Sequence, residues 1–568
     1  MKNITGYINQ LTKRIIRNGP AQTRTRHQDD DQATPPYSST VTAHPSSSSP
    51  IRPGLSTPTD SRSKGSLMSR VRRRIRKKFT NESRCTSFAQ LPHNDCRLIR
   101  CDVGLIDILP DDLLLPIFDY CVDQNGFNKE EIEVWQTLVH VCRRWRSVVF
   151  GSPLRLKLRL VCTPTTPARN MLDVWPALPL YIRCPRTFRE ESADNILAVL
   201  ERSNRVYQIS LLYFSSSDFE NFWAAMDVPF PGLTFLWLTS NEKMVRVLPD
   251  SFLGRSAPRL ETFHLQGIPF PGLPKLLLSA THLGILHLLD IPHSGYLSPE
   301  AMVAALSTLN SLFEFRLGFQ SPRSRPERRP PPPTRFVRPE LMEFRFKGAS
   351  EYLEDLVARI DAPRLGNLKI TVFNQIIFDM PQFIQFISRA PTLKEPEEAH
   401  VIFGGGASRV NFSSQTSGYE HFEVKIPCND LDWQVSSLEQ VFTSCLPHLS
   451  TLEGLSMVSP DGWLPDWQDN VENTLWLELL HPFTSVKNLY LCEEFARRVV
   501  PALQDLIEDR REEVLPALEN IFLEGLEPSG PVEKGIRQFV ATREVTGHPI
   551  TVTPWDRSYS SDRSFHSD

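Results

Sequence analysis

The chain has 568 residues, 40% hydrophobic and 23% charged, with 63 basic against 66 acidic residues and a formal net charge of −3. No run of 18 uninterrupted apolar residues occurs, which argues against a helical membrane span. Its ten cysteines are scattered, with no Cys-x-x-Cys pair and no His cluster at ligand spacing, so no metal or cofactor site is expected and a reduced compartment, cytoplasmic or nuclear, fits best.

Charge is unevenly spread. Residues 1–100 hold 19 Lys and Arg against 6 Asp and Glu, an excess of 13, so the remainder carries −16 to reach the total of −3. This stretch is rich in Ser, Thr, Pro and Arg, and Pro35-Pro36-Tyr37-Ser38-Ser39 and Pro45 to Pro50 contribute nothing to a core, which predicts a disordered basic tail over 1–100. Two islands interrupt it. Ile4 to Ile16 fits a basic amphipathic helix with no acid before Asp29, as in a transit peptide, although an Arg-rich tail gives the same signal. Arg70 to Lys78 is a dense basic cluster suited to a nuclear-import receptor or an anionic surface, or else a solvated charge run.

The next stretch runs Leu109-Pro110-Asp111-Asp112-Leu113-Leu114-Leu115-Pro116-Ile117-Phe118 and closes on Val141-Cys142-Arg143-Arg144-Trp145-Arg146. Asp111 or Asp112 is placed to cap a short helix carrying Leu113, Leu114, Ile117 and Phe118. After a turn at Asn125-Gly126, the spacing of Ile132, Trp135, Val139, Cys142, Trp145 and Val149 predicts one helix over Glu130 to Val149. Two such helices, spanning about 45 residues, are too small to close a core alone, so their apolar faces need the rest of the chain or a partner.

Leu-Pro-x-[Asp/Glu]-Leu-Leu-x-x-Ile-Phe followed by Val-Cys-Arg-x-Trp-Arg resembles an F-box, the segment by which substrate receptors dock onto the Skp1-type adaptor of a cullin-RING ubiquitin ligase. The resemblance covers roughly Leu105 to Pro153 and sets an F-box over 101–153. It implies adaptor contacts from Leu109, Pro110, Leu113, Ile117 and Phe118 in the first half and Val141, Cys142 and Trp145 in the second. Pro116 stands where a helix former is usual, and Asn125 to Lys129 lengthens the loop between the halves.

Beyond it, Leu154 to Val161 alternates like a strand, and Trp175 to Ile182 leads into another. From there one pattern returns: an apolar residue, two others, an apolar residue, one other, an apolar residue. It occurs at Val206/Ile209/Leu211, Leu233/Leu236/Leu238, Leu260/Phe263/Leu265, Leu283/Leu286/Leu288 and Leu312/Phe315/Leu317. It continues at Leu341/Phe344/Phe346, Leu365/Leu368/Ile370, Leu452/Leu455/Met457, Val486/Leu489/Leu491 and Leu518/Ile521/Leu523. The long gap between the seventh and eighth units leaves room for two degenerate repeats, with strands near Ala399 to Phe403 and Phe422 to Ile426. Twelve units then follow the F-box.

Such a period predicts an α/β solenoid over 154–530, with the last two apolar residues of each unit facing inward on a short strand and the first anchoring the turn before it. Amphipathic stretches such as Ser192 to Leu200 and Pro299 to Leu309 supply the crossover helices that parallel strands need. The array resembles leucine-rich repeats, and the combination resembles F-box proteins with divergent leucine-rich repeats, including large fungal sets. The repeat's usual Asn is found only at Asn241, which implies uneven curvature. Gln320 to Phe336, with its run Pro330 to Pro333, predicts a projecting polyproline II loop; Pro330-x-x-Pro333-x-Arg335 fits a proline-recognition ligand or a plain spacer. Gly404-Gly405-Gly406 reads as a turn, since no Lys-Ser/Thr follows to make a phosphate loop. After Pro531 the pattern fades, which sets a carboxy-terminal extension over 531–568 with a polar tail from Trp555.

No His-Glu-x-x-His, Gly-x-Ser-x-Gly or phosphate-binding glycine motif is present, and no catalytic residue is assigned. The expectation is a receptor rather than an enzyme. On each strand the residue between the two inward positions must face the other way. That column reads Ser210, Trp237, His264, His287, Arg316, Arg345, Lys369, Ser456, Tyr490 and Phe522, with Lys425 expected inside the gap. Trp237, His264, His287, Arg316, Arg345, Lys369 and Tyr490 are the candidate substrate contacts, the basic centre suiting an acidic or phosphorylated protein segment. Glu314 and Glu343 precede two of the arginines on the same face, and a self-neutralising ladder is the competing reading. The function expected is a substrate receptor of an SCF-type ubiquitin ligase, with no nucleic acid or membrane span as partner. The rival is a repeat scaffold binding nucleic acid, a membrane surface or protein through the basic tail and the repeat face.

Overall fold

The computed structural model describes residues 109–123, 134–184, 193–212, 216–240, 246–322, 335–373, 378–393, 396–414, 420–444, 446, 449–459, 472–506, 514–525, 530–545 and 547–556. The basic tail, the Asn125-Gly126 turn, Asn241, the Pro330 to Pro333 run and the end of the chain from 557 lie outside them. The chain divides into two units, Met1–Ile117 and Phe118–Asp568.

Helix α1 (Asp111–Asp123) crosses that division and accommodates Pro116 in its interior. Asp111 and Asp112 occupy its first turn rather than the cap position, where their charge still meets the positive end of the helix dipole. The single helix expected over Glu130 to Val149 is instead two, α2 (Val134–Val139) and α3 (Arg143–Gly151). The break has a local cause. Cys142 adopts extended backbone angles, and its Sγ accepts a hydrogen bond from the Trp145 N–H at 3.4 Å, so it caps α3 instead of continuing α2. Arg146 then reaches back to the Val139 carbonyl at 2.9 Å and fixes the corner.

The remaining elements are strands with helices in most of the connections between them. In order they are β1 (Leu160–Cys162), α4 (Ala168–Val174), β2 (Leu180–Cys184), α5 (Ala193–Leu200), β3 (Val206–Leu212), α6 (Ser216–Ala225), β4 (Phe235–Thr239), β5 (Thr262–Gln266), α7 (Leu273–Leu277), β6 (Ile285–Ile291), α8 (Pro299–Leu306), β7 (Glu314–Phe319) and β8 (Phe336–Val337). They continue as β9 (Glu343–Gly348), α9 (Ser350–Val357), β10 (Ile360–Asp361), β11 (Asn367–Val372), α10 (Pro381–Ser388), β12 (Glu398–Gly404), β13 (Ala407–Ser413), β14 (Glu420–Pro427), α11 (Leu431–Ser444) and β15 (Gly454–Val458). The last are α12 (Asn473–Leu480), β16 (Asn488–Leu491), α13 (Glu493–Asp505), β17 (Asn520–Leu523), α14 (Pro531–Val545) and β18 (Thr551–Pro554). Among the described residues all strands but β8 and β10 join one 16-stranded sheet, parallel except around β13. Most consecutive helices pack on one another, among them α7 to α10 and α11 to α14. The second unit is therefore an α/β solenoid.

Its core is the repeated triplet. Every residue of the ten triplets is at most 3% exposed. Register aligns Ile209, Leu236, Phe263, Leu286, Phe315, Phe344 and Leu368 as one column, and Leu211 through Ile370 as the next. In eight of the ten units the first residue closes a turn: the N–H of Leu233, Leu260, Leu283, Leu312, Leu341, Leu365, Leu452 and Leu518 bonds the carbonyl three residues back at 3.1–3.4 Å. Neighbouring repeats are stapled by buried or half-buried arginines. Arg338 donates to the carbonyls of Ser307 and Leu309 at 3.0 Å, and Arg543 to those of Val514 and Leu515 at 2.9 and 3.0 Å.

Four expectations need correction. Leu154 to Lys157 is a turn, so the first strand starts only at Leu160. Phe336, expected to end a loop, pairs in the short β8–β10 ladder. The gap holds strands at both expected places, but a third, β13, lies between them, and the sheet order runs β11-β14-β13-β12-β15. This is an antiparallel meander rather than two repeats: Gly405-Gly406 joins β12 to β13 as a two-residue turn, so the glycine run is a turn as expected. Because β14 runs parallel to β11 and β12 parallel to β15, the insert keeps the strand direction at both borders. Finally, 531–568 is more than an extension, since α14 and β18 add another strand to β17.

Candidate functional site

Two sets of side chains stand out, one on the leading helices and one on the open face of the sheet. On the helices, Phe118 and Trp145 are sealed, with ring centroids 4.8 Å apart, and Trp135 is fully buried beside Phe150 and Trp175. Rings of this size bury a large apolar area once neighbouring elements close over them. Phe118 and Trp145, expected as adaptor contacts, are thus internal supports. Leu109, Ile117 and Cys142 are half-buried, Pro110 is exposed, and Leu113 and Val141 are the exposed large hydrophobics, at 53% and 44%. Tyr120, not foreseen, is exposed to a similar degree.

On the sheet, alternation places Ser210, Trp237, His264, His287, Arg316, Arg345 and Lys369 in one continuous register column. Ser456, Tyr490 and Phe522 form a second run of the same column. Lys425 is not in it: Glu423 pairs with Lys369, and Lys425 lies one position along the same face, opposite Thr371. The insert shifts the count by two residues.

Trp237 stacks on His264 at 4.3 Å between ring centroids and leaves that histidine 5% exposed. His264 Nδ1 and His287 Nδ1 are 3.1 Å apart, so one donates and the other accepts, and His287 Nε2 meets Glu314 at 2.8 Å. Burial first, and the neighbouring His287 second, push the His264 imidazole down from 6.5 to about 4. Its Nε2 is buried and makes no hydrogen bond of normal geometry, and the contact with Gln266 opposes the downward push only in part. The hydrogen bond with His287 and the charge of Arg316 hold the Glu314 carboxyl below its usual range.

The ladder continues with Arg316 between Glu314 and Glu343, at 2.7 and 3.0 Å, and with Arg345 on Glu343 at 2.7 Å. The competing reading of a self-neutralising ladder therefore describes this stretch. Further along, Lys369 and Arg409 share Glu423, at 3.4 and 3.3 Å. Lys347 pairs with Asp290 at 2.8 Å. Although burial opposes it, hydrogen bonds from Lys347 and Gln266 hold Asp290 below the usual carboxylate range. At the far end Tyr490 stacks on Phe522 at 4.4 Å and meets Trp555 at 5.4 Å, a cluster that Trp555 completes from beyond the last expected repeat.

Among the described residues no group of three or more His, Cys, Asp or Glu is placed to hold a metal ion, and no helix is long and apolar enough to cross a membrane. No family model matches the chain, and no curated protein matches it. Among solved structures it is similar to the leucine-rich repeat-containing protein LegL7 from Legionella pneumophila, at 13% identity and a TM-score of 0.23, covering 67% of this chain and 97% of that one. The repeat architecture rests on the strand register described above.

Proposed function

We propose that the chain is the substrate-receptor subunit of an SCF-type cullin-RING ubiquitin ligase, docking on a Skp1-type adaptor through its leading helices and presenting a protein substrate on the open sheet face. The observation that carries this reading is the ordered pair of motifs, Leu109 to Phe118 and Val141 to Arg146, whose inner aromatics Phe118 and Trp145 pack together. Leu113 on α1 and Val141 in the turn before α3 are exposed, so each motif keeps an apolar side chain accessible to a partner.

In this reading the chain breaks no bonds. It holds substrate lysines near the ligase's charged conjugating partner and so raises their effective concentration. Solvent-facing repeats suit protein recognition, since they offer a long, regular surface. The receptor works in the cytoplasm or nucleus. Affinity purification of the full chain from native cells tests the proposal. Co-purification of an adaptor and a cullin is expected; their absence from a preparation that retains the intact chain would count against it.

A further inference from the structure

The open face is not uniformly neutral. From His287 to Arg345 each cation meets a carboxylate, but at the meander three cations, Lys369, Arg409 and Lys425, have only Glu423 among them within the described residues. Lys425 makes no ion pair or hydrogen bond among the described residues, and it is half-exposed. Register sets Lys347, Thr371, Lys425 and Arg409 side by side on four neighbouring strands. Neighbouring strands lie about 4.8 Å apart, so this row spans about 14 Å, roughly four extended residues.

We propose that the row centred on Lys425 and Arg409 is the docking site for an acidic peptide segment of the protein substrate. The proposal deepens the substrate-receptor reading, on which it rests for the role of the bound segment, while the binding itself needs no adaptor. It moves the recognition site away from Arg316 and Arg345, whose charges are already satisfied by Glu314 and Glu343.

Charge complementarity selects the occupant. The cations of the row are spread over about 14 Å, and their long side chains can reach carboxylates on alternate residues of an extended peptide, about 7 Å apart, whereas one phosphate group offers a single compact charge. Nucleic acid is a poorer match, since its binding commonly engages about 6–10 phosphates. Lys425 needs no reorganisation to bind, because no existing pair is broken. Arg409 and Lys369, sharing one carboxylate, each keep donors for a newcomer.

The test uses the full chain and a fluorescein-labelled peptide of alternating Glu and Ser, read by anisotropy in low salt. Binding is expected to weaken as salt is raised. Lys425→Glu with Arg409→Glu should weaken it by at least about tenfold, whereas Arg316→Ala with Arg345→Ala should change it by less than about threefold. Lys425→Gln alone, at an unpaired half-exposed site, should fold normally and still weaken binding. The proposal is overturned if the Lys425 variants bind as tightly as the parent chain. It is equally overturned if a peptide bearing a single phosphoserine, an oligodeoxythymidylate of the same length, or vesicles of anionic lipid bind the parent chain more tightly than the Glu peptide. Because no adaptor is present, failure here leaves the ligase assignment to its own experiment.

Discussion

His264 gives a quantitative handle on the sheet face. Its folded pKa of about 4 lies below the ordinary 6.5, so between these values the unfolded chain binds a proton that the folded chain refuses. The contribution to stability is therefore full above pH 6.5 and lost as pH falls toward 4. Going from pH 7.5 to pH 5, that one group costs about 2 kcal/mol, since each tenfold difference in proton affinity between the folded and unfolded chains corresponds to about 1.4 kcal/mol. His264→Gln removes the titration while retaining a polar group of similar size under Trp237. Hydrogen exchange of segments covering 262–291, compared at the two pH values after correction for intrinsic rates, reads the local opening energy. The parent chain should lose about 2 kcal/mol more protection than the variant over this interval. Equal losses in both would refute the reasoning that burial and His287 hold the ring neutral.

Three further outcomes follow from the packing. Phe118→Ala, at a fully buried ring against Trp145, should cost about 3–5 kcal/mol of stability in urea unfolding, and Leu113→Ala less than about 0.5 kcal/mol. Phe344→Ala removes a ring stacked on Phe315 at 5.4 Å and an interplanar angle of 2°; the loss should appear as faster exchange over 312–372 with little change over 486–523, because solenoid repeats couple mainly to their neighbours. Arg338→Met should destabilise by about 1–3 kcal/mol by leaving the Ser307 and Leu309 carbonyls without their donor.

The repeats were legible because a period of apolar residues reports both the strand and the side that is buried. Leu236, Phe263 and Leu286 landed in one column, as their spacing required. The meander was harder. Val410 and Phe412 alternate like any strand, and the glycine run offered a hairpin signal, but a fixed repeat length favoured two parallel units there. Sequence period says nothing about direction. That error also displaced Lys425 from its true row. Val139 to Trp145 misled for a different reason: helical spacing persisted across a corner that Cys142 caps. Charge satisfaction was half visible, since Glu314 and Glu343 lie two residues before Arg316 and Arg345, whereas Glu423 became a partner of Lys369 only through the insert. Burial of Phe118 and Trp145 was least legible, because the same apolar residues are needed whether a core or a partner covers them.

Titration calorimetry of the purified full chain with a purified Skp1-type adaptor tests the central assignment most directly. Saturable binding of one adaptor per chain is expected, lost in the Leu109→Ala, Pro110→Ala variant while circular dichroism of the repeats stays unchanged. Absence of binding by the parent chain, or undiminished binding by the variant, would contradict it.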